Sequence, residues 1–257
     1  MKKMKLMTKV YTKKSETFSL LKRNIENDVK DLDVKITSIV FGDDGFVSLT
    51  LDGEDELAAY NYLGSLYGKN TDLGELKDGE TMKGYICSSG KIGFGVFVDI
   101  GIKEPYSVDA LLPLFSLREQ LVDGKVVPVR KIIKMYGLID NFPIEITMQK
   151  VSIGLKKIEA RLSQNQVETF EKWKEEGLDK LLIFGAYKEE IVSALARTSH
   201  SKDIISIENL GWMENVITCK FNTNAKGLIP SLGKILHKAR FEIFSPSFIR
   251  KTLKEIQ

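Results

Sequence analysis

The stretch Gly79–Gly101, GETMKGYICSSGKIGFGVFVDIG, decides the fold. Its texture predicts two consecutive strands: Met82 to Cys87, a Ser88-Ser89-Gly90 turn, then Phe94 to Ile100. The second strand carries Phe94 and Phe97 with Gly95 between them. A glycine inside a strand often marks a bulge or the bend at a barrel corner. Aromatic rings on a bent barrel strand provide a surface on which unpaired bases stack. Two readings are open. In one, Phe94 and Phe97 stack bases and Tyr85 is a third platform. In the other, one or both rings fill the barrel core. A spacing of three puts the rings on opposite faces of a regular strand, and only a bulge, such as one at Gly95, would bring them together.

Downstream, DALLPL (109–114) reads as a third strand and FSLREQL as a short helix closed by Asp123-Gly124. VVPVRKII and FPIEITMQ read as two further strands. Five strands with a helix between the third and fourth is the order of an OB-fold barrel, placed over residues 73–150. Upstream, residues 1–72 run as a strand from Leu6 to Tyr11, then a helix beginning at Ser15 with Phe18, Leu21, Ile25, Val29 and Leu32 on one stripe. A hairpin turning at Gly42-Asp43-Asp44-Gly45 and a helix starting after the acidic run at 52–56 complete them. Residues 151–257 give helix, strand, helix, two strands, helix and strand. Both flanks carry the β-α-β-β-α pattern of ferredoxin-like units, the second with its final strand. The predicted class is α+β, an OB barrel between two ferredoxin-like units.

The chain has 257 residues, 43% hydrophobic and 28% charged, a composition that excludes a disordered chain. No apolar run reaches the length of a membrane span. MKKMKLMTKV lacks the apolar core of a secretion signal, and Cys87 and Cys219 do not make a disulfide framework, so a cytoplasmic location is expected. A net charge of +3 does not name nucleic acid as a partner by itself. Lys83, Lys91, Arg130 and Lys131 are the candidates for phosphate contacts beside the aromatic strand. Residues 73–150 nevertheless hold ten Lys/Arg against ten Asp/Glu. Positive charge gathers instead at the C-terminal end. Lys234, Lys238, Arg240, Arg250 and Lys251 form either a second basic patch or an ordinary solvated surface.

Chemistry has little to work with. His200 and His237 are the only histidines, and neither sits in a nucleophile motif. GLIPSLGK has five residues between its glycines, where a phosphate-binding P-loop has four, and reads as a helix with Pro230 in its first turn. GKIGFG lacks dinucleotide-fingerprint spacing. Without clustered Cys or His, no metal site or cofactor is expected. The acidic run at 52–56 reads as a helix N-terminus rather than a cation site.

FGVFVDIG, preceded by MKGYI and followed by DALLPLFSL, resembles the signature of S1 RNA-binding domains. The resemblance implies that Phe94 and Phe97 lie on the open barrel face and help to hold single-stranded RNA. Many S1 domains carry a histidine in the third strand where this chain has Pro113. Over its whole length the chain resembles an archaeal family of uncharacterised proteins with an S1-like barrel embedded between α+β segments. The expectation is a non-catalytic protein that binds single-stranded RNA or a ribonucleoprotein complex, in RNA metabolism or translation. The alternative is an adaptor for a protein partner that keeps the barrel as a scaffold.

Overall fold

The fold was described from a computed structural model covering residues 1–10, 15–103 and 105–256. The chain divides into two compact units, residues 1–72 and 73–257.

The first unit contains β1 (Lys2–Lys9), α1 (Ser15–Asp28), β2 (Lys35–Phe41), β3 (Phe46–Asp52) and α2 (Glu56–Tyr67). Its antiparallel sheet has the order β1-β3-β2. Leu21 and Ile25 of α1, with Ala59 and Leu63 of α2, are buried together with Leu6, Leu49 and Leu51 of the sheet. This is the stripe expected from the sequence, although α1 stops at Asp28 and leaves Val29 and Leu32 beyond it. Tyr11, expected to end the first strand, lies outside the described residues.

The second unit opens with β4 (Thr81–Cys87), β5 (Gly95–Ile102), β6 (Val108–Pro113), α3 (Leu114–Val122), α4 (Val129–Tyr136), β7 (Pro143–Ser152) and β8 (Lys157–Leu162). The five strands close into a barrel in the order β4-β5-β6-β8-β7. Strand alternation sends Met82, Ile86, Val96, Val98, Ile100, Ala110 and Leu112 into the core.

Two expectations about the barrel are corrected. VVPVRKII is not a strand. Its β-branched residues suggest one, but Val129, Ile132, Ile133 and Tyr136 fall at helical spacing and are buried along α4. The fifth strand is instead β8, after residue 150, so the barrel runs past the expected boundary. Parallel pairing of Ala110 with Ile158 and Leu111 with Glu159 closes it.

The chain continues through α5 (Gln164–Glu176), β9 (Lys180–Phe184), α6 (Lys188–Arg197), β10 (Ile204–Asn209), β11 (Glu214–Cys219), α7 (Ala225–Gly233), β12 (Arg240–Phe244) and α8 (Pro246–Glu255). The sheet order is β10-β11-β9-β12, antiparallel throughout. Asn224 caps α7, so Pro230 falls in the helix interior rather than in its first turn.

One face of this sheet, with Leu181, Ile183 and Ile217, packs under α6 and α7. The other, with Leu182, Phe184 and Phe244, belongs to the same apolar core as the barrel. Aromatic rings join the two parts. Tyr136 meets Phe170 at 5.3 Å and Phe244 at 5.8 Å, and Phe142 meets Phe184 at 6.2 Å. Gly137, at φ +67°, ends α4 where a Cβ would lie 2.5 Å from Leu182 Cδ1. At the far end of the chain, Lys125 Nζ caps α8 by donating to the carbonyls of Leu253 and Ile256, at 2.7 and 3.2 Å.

Candidate nucleic-acid interface

Gly84 and Gly95 set how closely the strands around the candidate site approach. A Cβ on Gly84 would lie 2.5 Å from Val98 Cγ1, and one on Gly95 would lie 2.4 Å from the Leu112 carbonyl. Gly95 is not a bulge. The β5–β6 register runs unbroken from Gly95↔Pro113 to Asp99↔Asp109 and shifts only between Asp99 and Ile102.

The two phenylalanines are both accessible, for a different reason from the one expected. Phe97 sits mid-strand on the outer wall, between Cys87 of β4 and Leu111 of β6, and is partly exposed. Phe94 lies just before β5, where strand alternation no longer constrains it, and is 60% exposed. Its carbonyl accepts the Leu114 N–H at 2.8 Å. The β4–β5 turn ahead of it is held by Asp140, whose carboxylate accepts the Ser89 N–H at 2.6 Å. Lys91 is exposed in that turn.

The other expected residues do not join this cluster. Tyr85 is only 2% exposed, with its hydroxyl beside Gly211 in the β10–β11 turn, so it is not a stacking platform. Lys83 is exposed but faces Glu145 of β7. There it lines a pocket of about 160 Å³ with Asn165, Gln166 and Thr169. It lies four residues along β4 from Cys87, about 13 Å at the rise of a strand. Arg130 and Lys131 stand on α4, not on a barrel strand. Of the C-terminal cations, Lys234 and Lys238 follow α7, Arg240 begins β12, and Arg250 and Lys251 lie on α8. All five are exposed.

Sequence reasoning missed two residues near the aromatic face. Arg161 is exposed on β8, and β8 itself was not recognised. Extending the barrel to Leu162 adds Lys156, Lys157 and Arg161 against Glu159, which raises its balance from zero to +2. Lys157 is paired with Glu159 at 2.7 Å, and Lys156 lies over the Tyr106 ring at 4.5 Å. The second is Phe115, 69% exposed in the first turn of α3. The signal for it was available: Leu117 and Leu121 make the buried stripe of that helix, and Phe115 falls off it.

The His200 ring joins Asp203 at 2.9 Å and Ser231 at 3.3 Å. Ser231 is inside α7. The link ties α7 to the segment between α6 and β10.

Three family models match the chain in succession: the DUF2110 N-terminal domain over residues 3–73, the central domain over 76–174 and the C-terminal domain over 178–244. The chain belongs to the DUF2110 family. The DUF2110 central domain takes in all five barrel strands, β8 included. No curated protein matches the chain. Among solved structures, the chain is similar to uncharacterized protein MJ1198 from Methanocaldococcus jannaschii. The identity is 16%, coverage is 35% of this chain and 96% of that one, and the TM-score is 0.24. It is also similar to a chain of the a/eIF2alpha–aDim2p–rRNA complex from Pyrococcus horikoshii OT3, at 12% identity, with 48% and 64% coverage and a TM-score of 0.27. A third likeness is to the intact alpha subunit of aIF2 from Pyrococcus abyssi, at 13% identity, with 65% and 97% coverage and a TM-score of 0.26. At these TM-scores the likenesses transfer no role to the DUF2110 chain. Among the described residues no helix is long and apolar enough to cross a membrane.

Proposed function

We propose that the barrel is an S1-type OB barrel and that its outer wall over β5, β6 and β8 holds single-stranded RNA without catalysis. The observation that carries this reading is the exposure of Phe94 together with the partial exposure of Phe97, with Lys91 in solvent in the β4–β5 turn and Arg161 in solvent on β8. Base faces stack on such rings whatever the sequence, while cations meet the phosphates. The strand order and the helices between the third and fourth strands support the OB assignment. The β-α-β-β-α-β order supports a ferredoxin-like C-terminal part, and the N-terminal unit follows the same order without its last strand.

Fluorescence anisotropy of a labelled oligouridine at low salt tests the reading. Binding that weakens as salt rises is expected, because cations that meet phosphates release counterions, and the slope should be shallow because few cations face the strand. Phe94→Ala and Phe97→Ala should each weaken binding by about 1–3 kcal/mol. Wild-type protein that does not bind at low salt refutes the proposal. The acidic groups of the same wall, Asp109 and Glu159, favour a second reading in which the barrel seats a protein partner. A partner recovered equally before and after nuclease treatment would select that reading.

A further inference from the structure

We infer that Phe115 is a third stacking platform, so that the barrel takes at least three successive unpaired bases along a path from Phe97 through Phe94 onto the start of α3. This rests on the reading that the barrel holds RNA.

Three observations carry it. Phe115 is 69% exposed, the most exposed of the three rings, although a phenylalanine gains stability by being covered. It is fixed in place: α3 follows β6 without a linker, and Leu117 and Leu121 anchor the helix in the barrel core. It is also continuous with Phe94, because the Leu114 N–H donates to the Phe94 carbonyl at 2.8 Å.

Backbone geometry makes the two residues neighbours. Residues paired by such a bond have Cα atoms about 5.5 Å apart, and one further residue adds about 3.8 Å, so the Cα atoms of Phe94 and Phe115 lie no more than about 9 Å apart. Bases within one strand of a duplex rise only about 3.4 Å. A ring face open to solvent is covered by a base only where that base is free of its own stack, as in a single strand.

The experiment is an affinity series with the full chain and labelled oligouridines, comparing wild type with Phe94→Ala, Phe115→Ala, Phe115→Trp and Phe115→Leu. Phe115→Ala is expected to weaken binding about fivefold or more, Phe115→Leu likewise, and Phe115→Trp to bind as wild type. Replacing single bases by abasic sites should reveal one position whose base matters to wild type and not to Phe115→Ala. Circular dichroism should show the same melting for all variants, since the ring is exposed. If wild type and Phe94→Ala differ while Phe115→Ala or Phe115→Leu binds as wild type, the inference fails and the barrel reading stands. If wild type does not bind at all, both fail.

Discussion

Replacing Gly84 by alanine tests the account of the barrel wall most directly. The new Cβ would lie 2.5 Å from Val98 Cγ1 and 2.9 Å from the Asp99 carbonyl oxygen. Carbon atoms rest about 3.5–4 Å apart, so the methyl intrudes by about an ångström. Val98 is fully buried in the barrel core and has no room to turn away. The second obstacle is backbone, so β4 and β5 must separate. Overpacking of this kind costs about 1–3 kcal/mol. Alanine returns about 0.4–1 kcal/mol by restricting the unfolded chain, because Gly84 does not use a left-handed conformation. The central values leave a net loss of about 1.3 kcal/mol, or about 3–5 °C in melting temperature for a unit of this size. Differential scanning calorimetry measures it, with Gly93→Ala as the control: nothing lies within 4 Å of a Cβ there. A Gly84→Ala protein that melts with or above Gly93→Ala would refute the packing argument.

Other outcomes follow from the same geometry. Gly95→Ala places a Cβ 2.4 Å from the Leu112 carbonyl, and should both lower the melting temperature and weaken RNA binding by displacing Phe94. Lys125→Met removes the cap on α8 and should speed amide hydrogen exchange of its last turn, with a loss of about 1 kcal/mol. Burial pushes the Tyr136 phenol up from its ordinary value, and burial with the Asp28 carboxylate does the same for Tyr67. Their contribution to stability is complete below about pH 10 and is lost as pH rises through that value toward the folded ones. Absorbance titration of the folded protein should therefore show late-ionising tyrosines that titrate normally once the chain is unfolded. Burial pushes the Cys219 thiol up to about 11, whereas Cys87 is partly exposed. Mass spectrometry after iodoacetamide at pH 8 should find Cys87 alkylated and Cys219 intact until denaturant is added.

Much of this architecture can be read from residue order. The β4–β5 hairpin, β6 and α3 follow from alternation and turn residues, and the C-terminal elements from their periodicity. The fourth barrel element misled because two patterns overlap in VVPVRKIIKMY. Its valines and isoleucines favour a strand, while 129, 132, 133 and 136 mark a helix that only a partner surface rewards. The closing strand β8 was hidden by KKIEARL, where charged residues alternate with Ile158, Ala160 and Leu162. Such a segment is a barrel strand only if a distant strand is ready to pair with it. For the candidate site, the resemblance of FGVFVDIG singled out Phe94 and Phe97, both of them accessible, where a spacing of three alone would have put them on opposite faces. It could not show that Tyr85 lies under the β10–β11 turn or that Lys83 faces β7, because both depend on what covers the outside of the barrel.

The shared core has a practical optical consequence. The only two tryptophans, Trp173 and Trp212, lie outside the barrel strands, on α5 and in the β10–β11 turn. Trp173 is inside the core common to the barrel and the C-terminal sheet. If the barrel holds RNA on its β5 wall, the strand lies away from the buried Trp173 indole and should leave its emission unchanged at room temperature. Stabilisation of a cooperative unit is felt throughout it, and a hundredfold excess over the dissociation constant adds about 2.7 kcal/mol. Tryptophan emission followed during heating should therefore shift to a higher midpoint with RNA. The label-free signal of the C-terminal half then reports occupancy of a site on the other half, while residues 1–72, which contain no tryptophan, stay dark.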